Sequence, residues 1–157
     1  MTRLMVIGVT VLAVLAVASC DLLGGDAAEL QVVARANPGE QAADMGHENV
    51  IYFGKPGAGN NEDVVFTIRN TGKAKLVLEA AGPDYVAIVD HSHATEPFSV
   101  LIGAPGKSIG PGKQVQVTIR FTGTADSTRY TAKLLIPSND KEHPGYFLQL
   151  EGDGDGL

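Results

Sequence analysis

The chain has 157 residues and a formal net charge of −6 at pH 7, a length that suits one domain together with processing and linker segments. Its basic residues are scattered along the sequence, so nucleic acid is not an expected partner, and the acidic charge would also repel an anionic lipid surface. The 19 glycines and 8 prolines favour turns over long helices.

The first 19 residues have the pattern of a cleaved secretory signal peptide. Arg3 is their one charged residue, and residues 4–18 form an uncharged apolar run. A helix of that length, rising about 1.5 Å per residue, is too short to cross comfortably a hydrocarbon core about 30 Å thick. An uncleaved membrane helix and a buried core helix are the alternatives. The position at the N-terminus and the small residues that end the run favour a signal peptide.

The run ends in a motif that contains the single cysteine of the chain. Val17-Ala18-Ser19-Cys20 resembles the bacterial lipobox, with valine where leucine is more usual. The resemblance implies a diacylglycerol thioether on Cys20, cleavage between Ser19 and Cys20, and acylation of the new amine. Cys20 has no partner for an internal disulfide, and lipidation explains its presence in an exported chain. We therefore expect a membrane-anchored lipoprotein of the bacterial cell envelope that faces the periplasm or the exterior.

Small and polar residues dominate the segment that follows, which predicts a flexible tether over residues 20–48. Residues 30–33 are a short apolar exception that could be a first strand docked on the domain. Asp21 resembles an inner-membrane retention signal of some bacterial lineages, which leaves the choice between inner and outer membrane open.

From residue 49 onward, short runs of alternating polarity predict a domain of β-strands. Residues 113–121 alternate most clearly, with apolar side chains at every second position from Val115 to Phe121. The other predicted strands cover residues 50–53, 62–69, 75–79, 85–89, 98–102, 130–136 and 146–150. Seven to eight short antiparallel strands over residues 49–154 predict an all-β sandwich, with a barrel as the alternative and residues 155–157 as a tail. The predicted inward side chains are Val64, Phe66, Ile68, Leu76, Leu78, Val115, Val117, Ile119, Phe121, Leu134, Ile136, Leu148 and Leu150.

The order of short phrases along this domain resembles a known family. The phrases lie at residues 66–72, 76–78, 98–100, 109–112, 115–121, 130–134, 136–140 and 148–154. Together they resemble the immunoglobulin-like domains of the choice-of-anchor D and abnormal-spindle/Hydin group, relatives of major sperm protein. The resemblance implies an immunoglobulin-like β-sandwich that acts in protein binding, adhesion or scaffolding, with a protein or an envelope polymer as partner and without a shared catalytic set. Bacterial members often carry tandem copies, whereas this chain has one.

Two histidines form the one candidate metal site. His91 and His93 are alternate residues, so an extended segment would direct both imidazoles to one side, and Asp90, His47 or His143 could complete a tetrahedral site. Histidines in a polar loop are usually only solvated, so we expect no metal and no cofactor. The alternative function is a periplasmic lipoprotein that binds a metal or a small ligand through the His91/His93 loop.

No catalytic motif is present, and we expect a protein that is not an enzyme. Residues 103–108 resemble a phosphate-binding loop in their last residues, but Leu101 stands where that motif needs glycine, so they predict a loop between strands. The paired acids Asp153 and Asp155 fall in a glycine-rich stretch that predicts a mobile tail.

Overall fold

A computed structural model describes residues 27–155 of the chain. Residues 1–26 and 156–157 lie outside the described residues, so the signal peptide, Cys20 and the start of the tether stay predictions. Within residues 27–155 no helix is long and apolar enough to span a membrane. The chain is all-β there, as the alternating sequence pattern predicts, and its strands are more numerous than the seven to eight expected.

Eleven strands are present in the described part of the chain. They are β1 (Leu30–Ala34), β2 (Ala43–Met45), β3 (Val50–Tyr52), β4 (Asn61–Asn70), β5 (Leu76–Val77), β6 (Ala87–Val89), β7 (Phe98–Ile102), β8 (Ser108–Ile109), β9 (Gln114–Thr122), β10 (Arg129–Pro137) and β11 (Gly145–Asp153). The strands beyond those predicted are β2 and β8, whose three and two residues give too little alternation to be recognised in a sequence, and β1, which the sequence offers only as an apolar exception.

One layer of the sandwich is a five-stranded antiparallel sheet in the order β2-β1-β4-β9-β7. Its centre is the long β4–β9 pair, in register from Asn61 opposite Thr122 to Arg69 opposite Gln114. The β7 edge contains an irregularity between Val100 and Ile102, where the pairing register with β9 shifts. Such a bulge bends an edge strand and interrupts its row of backbone groups.

The second layer is a four-stranded sheet in the order β3-β11-β10-β6. The β10–β11 hairpin pairs over nine residues, from Arg129 opposite Asp153 to Pro137 opposite Gly145. β3 runs parallel to β11, so the expectation of a purely antiparallel sandwich is wrong at this edge. β5 and β8 form a separate two-stranded ladder. Because the strands divide between separate sheets, the barrel alternative does not apply.

The core lies between the two sheets and contains the predicted inward side chains. Twelve of the thirteen are buried, and Val115 is half-buried because it lies near the open end of β9. The core also contains Phe53 and Phe98, which are not among the predicted inward side chains, and Phe98 packs 4.8 Å from Phe121 and 5.4 Å from Phe53 between ring centroids. Aromatic pairs at such separations stabilise a core beyond the area that they bury.

The prediction of a flexible tether as far as residue 48 is wrong for its described part. β1 lies inside the five-stranded sheet, between β2 and β4, and both Val32 and Ala34 are fully buried. Its pairing with β4 sets Leu30 opposite Asn70. The alternative that residues 30–33 dock as a first strand is therefore confirmed, and the folded domain extends to Ala28, which is also buried. Burial of these apolar side chains drives the segment onto the sheet.

Candidate binding surfaces

The loop between β6 and β7 carries the two histidines of the candidate metal site. Ser92 ties this loop to β10, because its N–H donates to the Thr131 carbonyl and its hydroxyl accepts from the Thr131 N–H, both at 2.9 Å. His93 stacks edge-on against Tyr130 at 5.1 Å between ring centroids and bonds the Ser92 hydroxyl. His91 is half-buried, and its Nδ1 is enclosed without a hydrogen-bond partner in the described chain. The two imidazoles therefore have different surroundings.

The other histidines named as possible ligands lie far from this loop. His93 contacts Tyr130 at the start of β10, whereas His143 follows the end of that strand, so more than about 20 Å of extended chain separates them. His47 packs 6.1 Å from His143 between ring centroids. In residues 27–155 no group of three or more His, Cys, Asp or Glu side chains is arranged to hold a metal ion.

His47 and His143 instead line a shallow pocket of about 380 Å³ at the junction of β1, β2 and the β10–β11 loop. Tyr146 closes one side and donates its hydroxyl to the Met45 carbonyl at 2.7 Å. Burial, with a smaller contribution from the carboxylate of Asp44, raises the pKa of Tyr146 far above its ordinary value, so this hydroxyl stays neutral. The lining residues come from three distant segments, so no local motif indicates the pocket in the sequence.

The β7 edge exposes two neighbouring large apolar side chains. β7 has one strand neighbour, β9, so its other side carries backbone groups without a strand partner. Leu101 is 44% exposed and Ile102 57% exposed at the bulge. A groove of about 520 Å³ continues from Ile102 along Pro105 to the half-buried Val115. An apolar edge next to a groove is the kind of surface to which an extended peptide adds as a further strand.

Residues 103–108 lie beside this groove and connect β7 to β8. Ser108 begins β8, and β9 follows after a short turn, so no helix follows the Gly-Lys-Ser sequence. A phosphate-binding loop needs the N-terminus of a helix to face the phosphate. The prediction of a loop between strands is confirmed.

An ionic network joins three strands at the opposite end from the β10–β11 loop. Arg129 donates to Asp153 at 2.8 Å and lies 3.4 Å from Glu151, while the Tyr52 hydroxyl donates to Asp153 at 2.7 Å. The Arg129 guanidinium holds the pKa of the Asp153 carboxyl below its ordinary value, with a smaller contribution from Tyr52. Asp153 is the last residue of β11, so the prediction that it lies in a mobile tail is wrong.

The neighbouring acid, Asp155, is also fixed to the domain. Its backbone N–H donates to the Thr124 carbonyl at 2.7 Å, and its carboxylate lies 3.6 Å from the Lys55 amine. The glycines beside these acids permit close packing rather than mobility. A side chain at Gly154 would collide with the Asp126 carbonyl.

Comparison with known family profiles and with characterised proteins finds no match. Among solved structures, the chain is similar to the ASH/PapD-like domain of human CEP192 (PapD-like domain 7), with 13% identity, a TM-score of 0.53, and 85% of this chain and 89% of that chain covered. A protein of unknown function from Porphyromonas gingivalis W83 is 15% identical, with a TM-score of 0.47 over 85% of this chain and 67% of that chain.

The secreted serine protease VesC from Vibrio cholerae is 14% identical, with a TM-score of 0.51. That match covers 69% of this chain and 22% of the protease chain, so it concerns a part of that protein. At these identities the similarities show the fold alone. The predicted immunoglobulin-like β-sandwich is confirmed, and it is a fold that typically carries binding rather than catalysis.

Proposed function

We propose that this chain is a lipid-anchored protein of the bacterial cell envelope whose immunoglobulin-like domain is a non-catalytic binding module. The observation that carries the proposal is the motif Val17-Ala18-Ser19-Cys20 after an apolar run, with one cysteine in the whole chain. The folded domain begins at Ala28, so an anchor on Cys20 would join the domain through a short connection. Two or three acyl chains on one residue would hold it stably without a membrane-spanning segment.

Fatty-acid labelling in a bacterial host tests the anchor. The wild-type chain should incorporate labelled fatty acid, and Cys20→Ala should abolish the incorporation because the thioether needs the sulfur atom. Ser19→Ala is the matched control: it keeps a small residue before the cleavage site and should label as the wild type does. Globomycin, which blocks the lipoprotein signal peptidase, should cause an uncut, lipid-modified precursor to accumulate. Label in Cys20→Ala, or a native mature N-terminus without acyl groups, contradicts the proposal.

The β7 edge supports binding of an extended segment of another protein as the activity of the module. Its free backbone groups would supply hydrogen bonds to an added strand, and the exposed side chains of Leu101 and Ile102 would supply apolar contact. The resemblance to choice-of-anchor D domains, which implies adhesion or scaffolding, fits the same activity. A protein or an envelope polymer that presents an extended chain would be the partner.

Proximity labelling in the native cell tests this edge. Ile102→Lys places a charge at the edge and should remove the specific neighbours of the wild-type protein. Val65→Lys is the matched control, because Val65 is an exposed residue of β4 in the same sheet, 47% exposed against 57% for Ile102. Its neighbours should match those of the wild type. If Ile102→Lys kept the wild-type neighbours as Val65→Lys does, the β7 edge would not be the contact surface.

A further inference from the structure

The basic side chains of the domain fall into two groups according to their partners. Five of them form ion pairs with acids: Arg35, Lys55, Arg120, Arg129 and Lys133. The six others form none with any acid in residues 27–155, and all six are exposed: Arg69, Lys73, Lys75, Lys107, Lys113 and Lys141. Cations without acid partners are available to an external anion.

The unpaired cations share one end of the sandwich, the end at which the chain enters the domain. The Lys73 N–H donates to the Ala27 carbonyl at 2.9 Å. The Asn70 N–H, at the end of β4, donates to the Lys113 carbonyl at 3.0 Å. Arg69 precedes Asn70 and donates its Nε to Gln114. The loops after β4 and before β9 therefore meet beside the first described residue.

The remaining three lysines are held at the same end by neighbouring loops. The Lys75 carbonyl accepts from the Asn139 side chain at 3.1 Å, in the loop between β10 and β11. Lys141 follows Asp140, whose carboxylate accepts from the first N–H of β1 at 2.8 Å. The Lys107 carbonyl accepts from the Leu78 N–H at 2.8 Å. We call this end, formed by residues 27–30, 69–79, 107–114 and 138–143, the proximal end.

The proximal end is basic although the whole chain is acidic. Its six cations outnumber its four acids, Glu29, Glu79, Asp140 and Glu142, and they still outnumber five when Asp44, which borders this end in the pocket beside Leu30 and His143, is included. Of these acids, Asp140 is buried and accepts hydrogen bonds from backbone N–H groups, so little of its charge faces outward. The rest of the described chain has five cations and twelve acids. The scattered basic residues of the sequence thus gather on one surface in the fold.

The chain length before the domain determines where this surface would lie. Seven residue steps join Cys20 to Ala27, which can span at most about 25 Å. If Cys20 carries the lipid, as proposed above, the proximal end faces the headgroups at close range. A charged headgroup attracts a lysine side chain appreciably only when the two lie within about one Debye length of each other, roughly 8 Å at physiological ionic strength. The short connection permits that approach.

We propose that the proximal end docks on anionic phospholipid headgroups and orients the domain on the membrane. The expectation that the acidic chain would repel such a surface holds for the net charge, but the fold turns its basic end to the membrane. The connecting residues include Asp21 and Asp26, so the attraction comes from the domain loops and not from the tether. The exposed lysines sit on four separate loops and Arg69 lies at the end of β4, an arrangement that suits a broad charged surface better than a single phosphate.

Vesicle binding by the mature, unlipidated chain tests the docking. The chain from residue 20 with Cys20→Ser should bind vesicles that contain phosphatidylglycerol at least roughly ten-fold more tightly than vesicles of phosphatidylcholine alone, and added salt should weaken the binding. Lys73→Gln/Lys113→Gln should weaken the binding to anionic vesicles by roughly ten-fold or more, because each lysine contributes about five-fold. Lys107→Gln/Lys141→Gln should show a similar loss.

The matched control is Lys55→Gln/Lys133→Gln, which removes the same charge away from the proximal end and should change the binding less than about two-fold. Equal losses in proximal and control variants, or no preference for anionic vesicles, would overturn the proposal. So would binding of a short DNA duplex as tight as that of vesicles, or displacement from vesicles by millimolar inorganic phosphate. The assay contains no lipid anchor, so its result is independent of the Cys20 labelling experiment.

Discussion

Asn70 shows how one buried side chain can organise several loops. Its amide Nδ2 donates to the carbonyls of Ala74 at 2.7 Å and Ile109 at 2.9 Å, and its Oδ1 accepts from the N–H groups of Gly72 and Glu29. The side chain is 1% exposed. A buried amide that lacked these partners would cost about 1–3 kcal/mol. Asn70 therefore holds three chain segments together at the proximal end.

Asp140 has the same role for the β10–β11 loop. Its carboxylate accepts from the N–H groups of Leu30 at 2.8 Å and Glu142 at 2.9 Å, so it fixes the loop and the first residue of β1 together. Buried carboxylates persist in proteins where several donors replace their water.

β4 ends at Asn70 and β10 ends at Pro137, but the sequence gives no sign that Asn70 and Asp140, in the segments where these strands end, are buried. Their partners lie 39 and 110 residues away in the chain, at Ile109 and Leu30. Turn propensity reflects local backbone conformation, whereas these contacts depend on which loops the sheet order brings together. The burial of Thr118 is also not predicted, because the alternating pattern places its side chain outward, yet Thr118 is only 8% exposed.

β1 is the element that most changes the interpretation of the chain. It lies between β2 and β4, and it covers the side of β4 that would otherwise be a sheet edge. The sequence indicates only its first four residues, 30–33, as an apolar exception, since period-two alternation needs a longer run to identify a strand. The alternating pattern also does not show the order of strands within a sheet, so nothing in the sequence indicates that β3 pairs in parallel with β11.

Removal of β1 and β2 should destabilise the domain. A chain that starts at residue 49 loses the buried side chains of Val32 and Ala34 and exposes the edge of β4. Burial of a valine side chain contributes about 1.5–3 kcal/mol, and the lost strand pairing adds to this. We expect the free energy of unfolding in urea to fall by at least about 3 kcal/mol relative to a chain that starts at residue 27. Equal urea midpoints for the two chains would show that β1 is dispensable.

At the scale of the whole molecule, the charges divide along the long axis of the sandwich. The proximal end has the unpaired cations, and the opposite end has the paired network of Arg129, Asp153 and Tyr52 together with Asp126 and Asp155. Composition and net charge could not indicate this separation, because the lysines of the proximal end come from loops that are distant in the sequence. A domain with this separation has a preferred orientation in any electric field, including that of a membrane surface.

The carboxylates that accept hydrogen bonds from neighbouring side chains determine how the stability of the domain depends on pH. Hydrogen bonds from Arg120, Tyr130 and Arg129 lower the pKa values of Asp63, Asp126 and Asp153 below the ordinary 3.8.

A carboxyl group with a lowered pKa in the folded state stabilises the fold above its unfolded pKa, and this stabilisation is lost as the pH falls through the folded pKa. We therefore expect the melting temperature to change little from pH 7 to about pH 5 and to fall below about pH 4. Asp153→Asn should reduce that fall, because it removes one carboxyl that must be protonated, and should lower the melting temperature at pH 7, where Arg129 loses the closer of its two ion pairs and keeps that with Glu151. Glu40→Gln, at an exposed residue without an ion pair in residues 27–155, is the matched control and should leave both effects unchanged.

Calorimetric scans of the three proteins across this pH range measure the difference. An acid transition of the same depth in Asp153→Asn as in the wild type would show that the ionic network at this end does not contribute to stability.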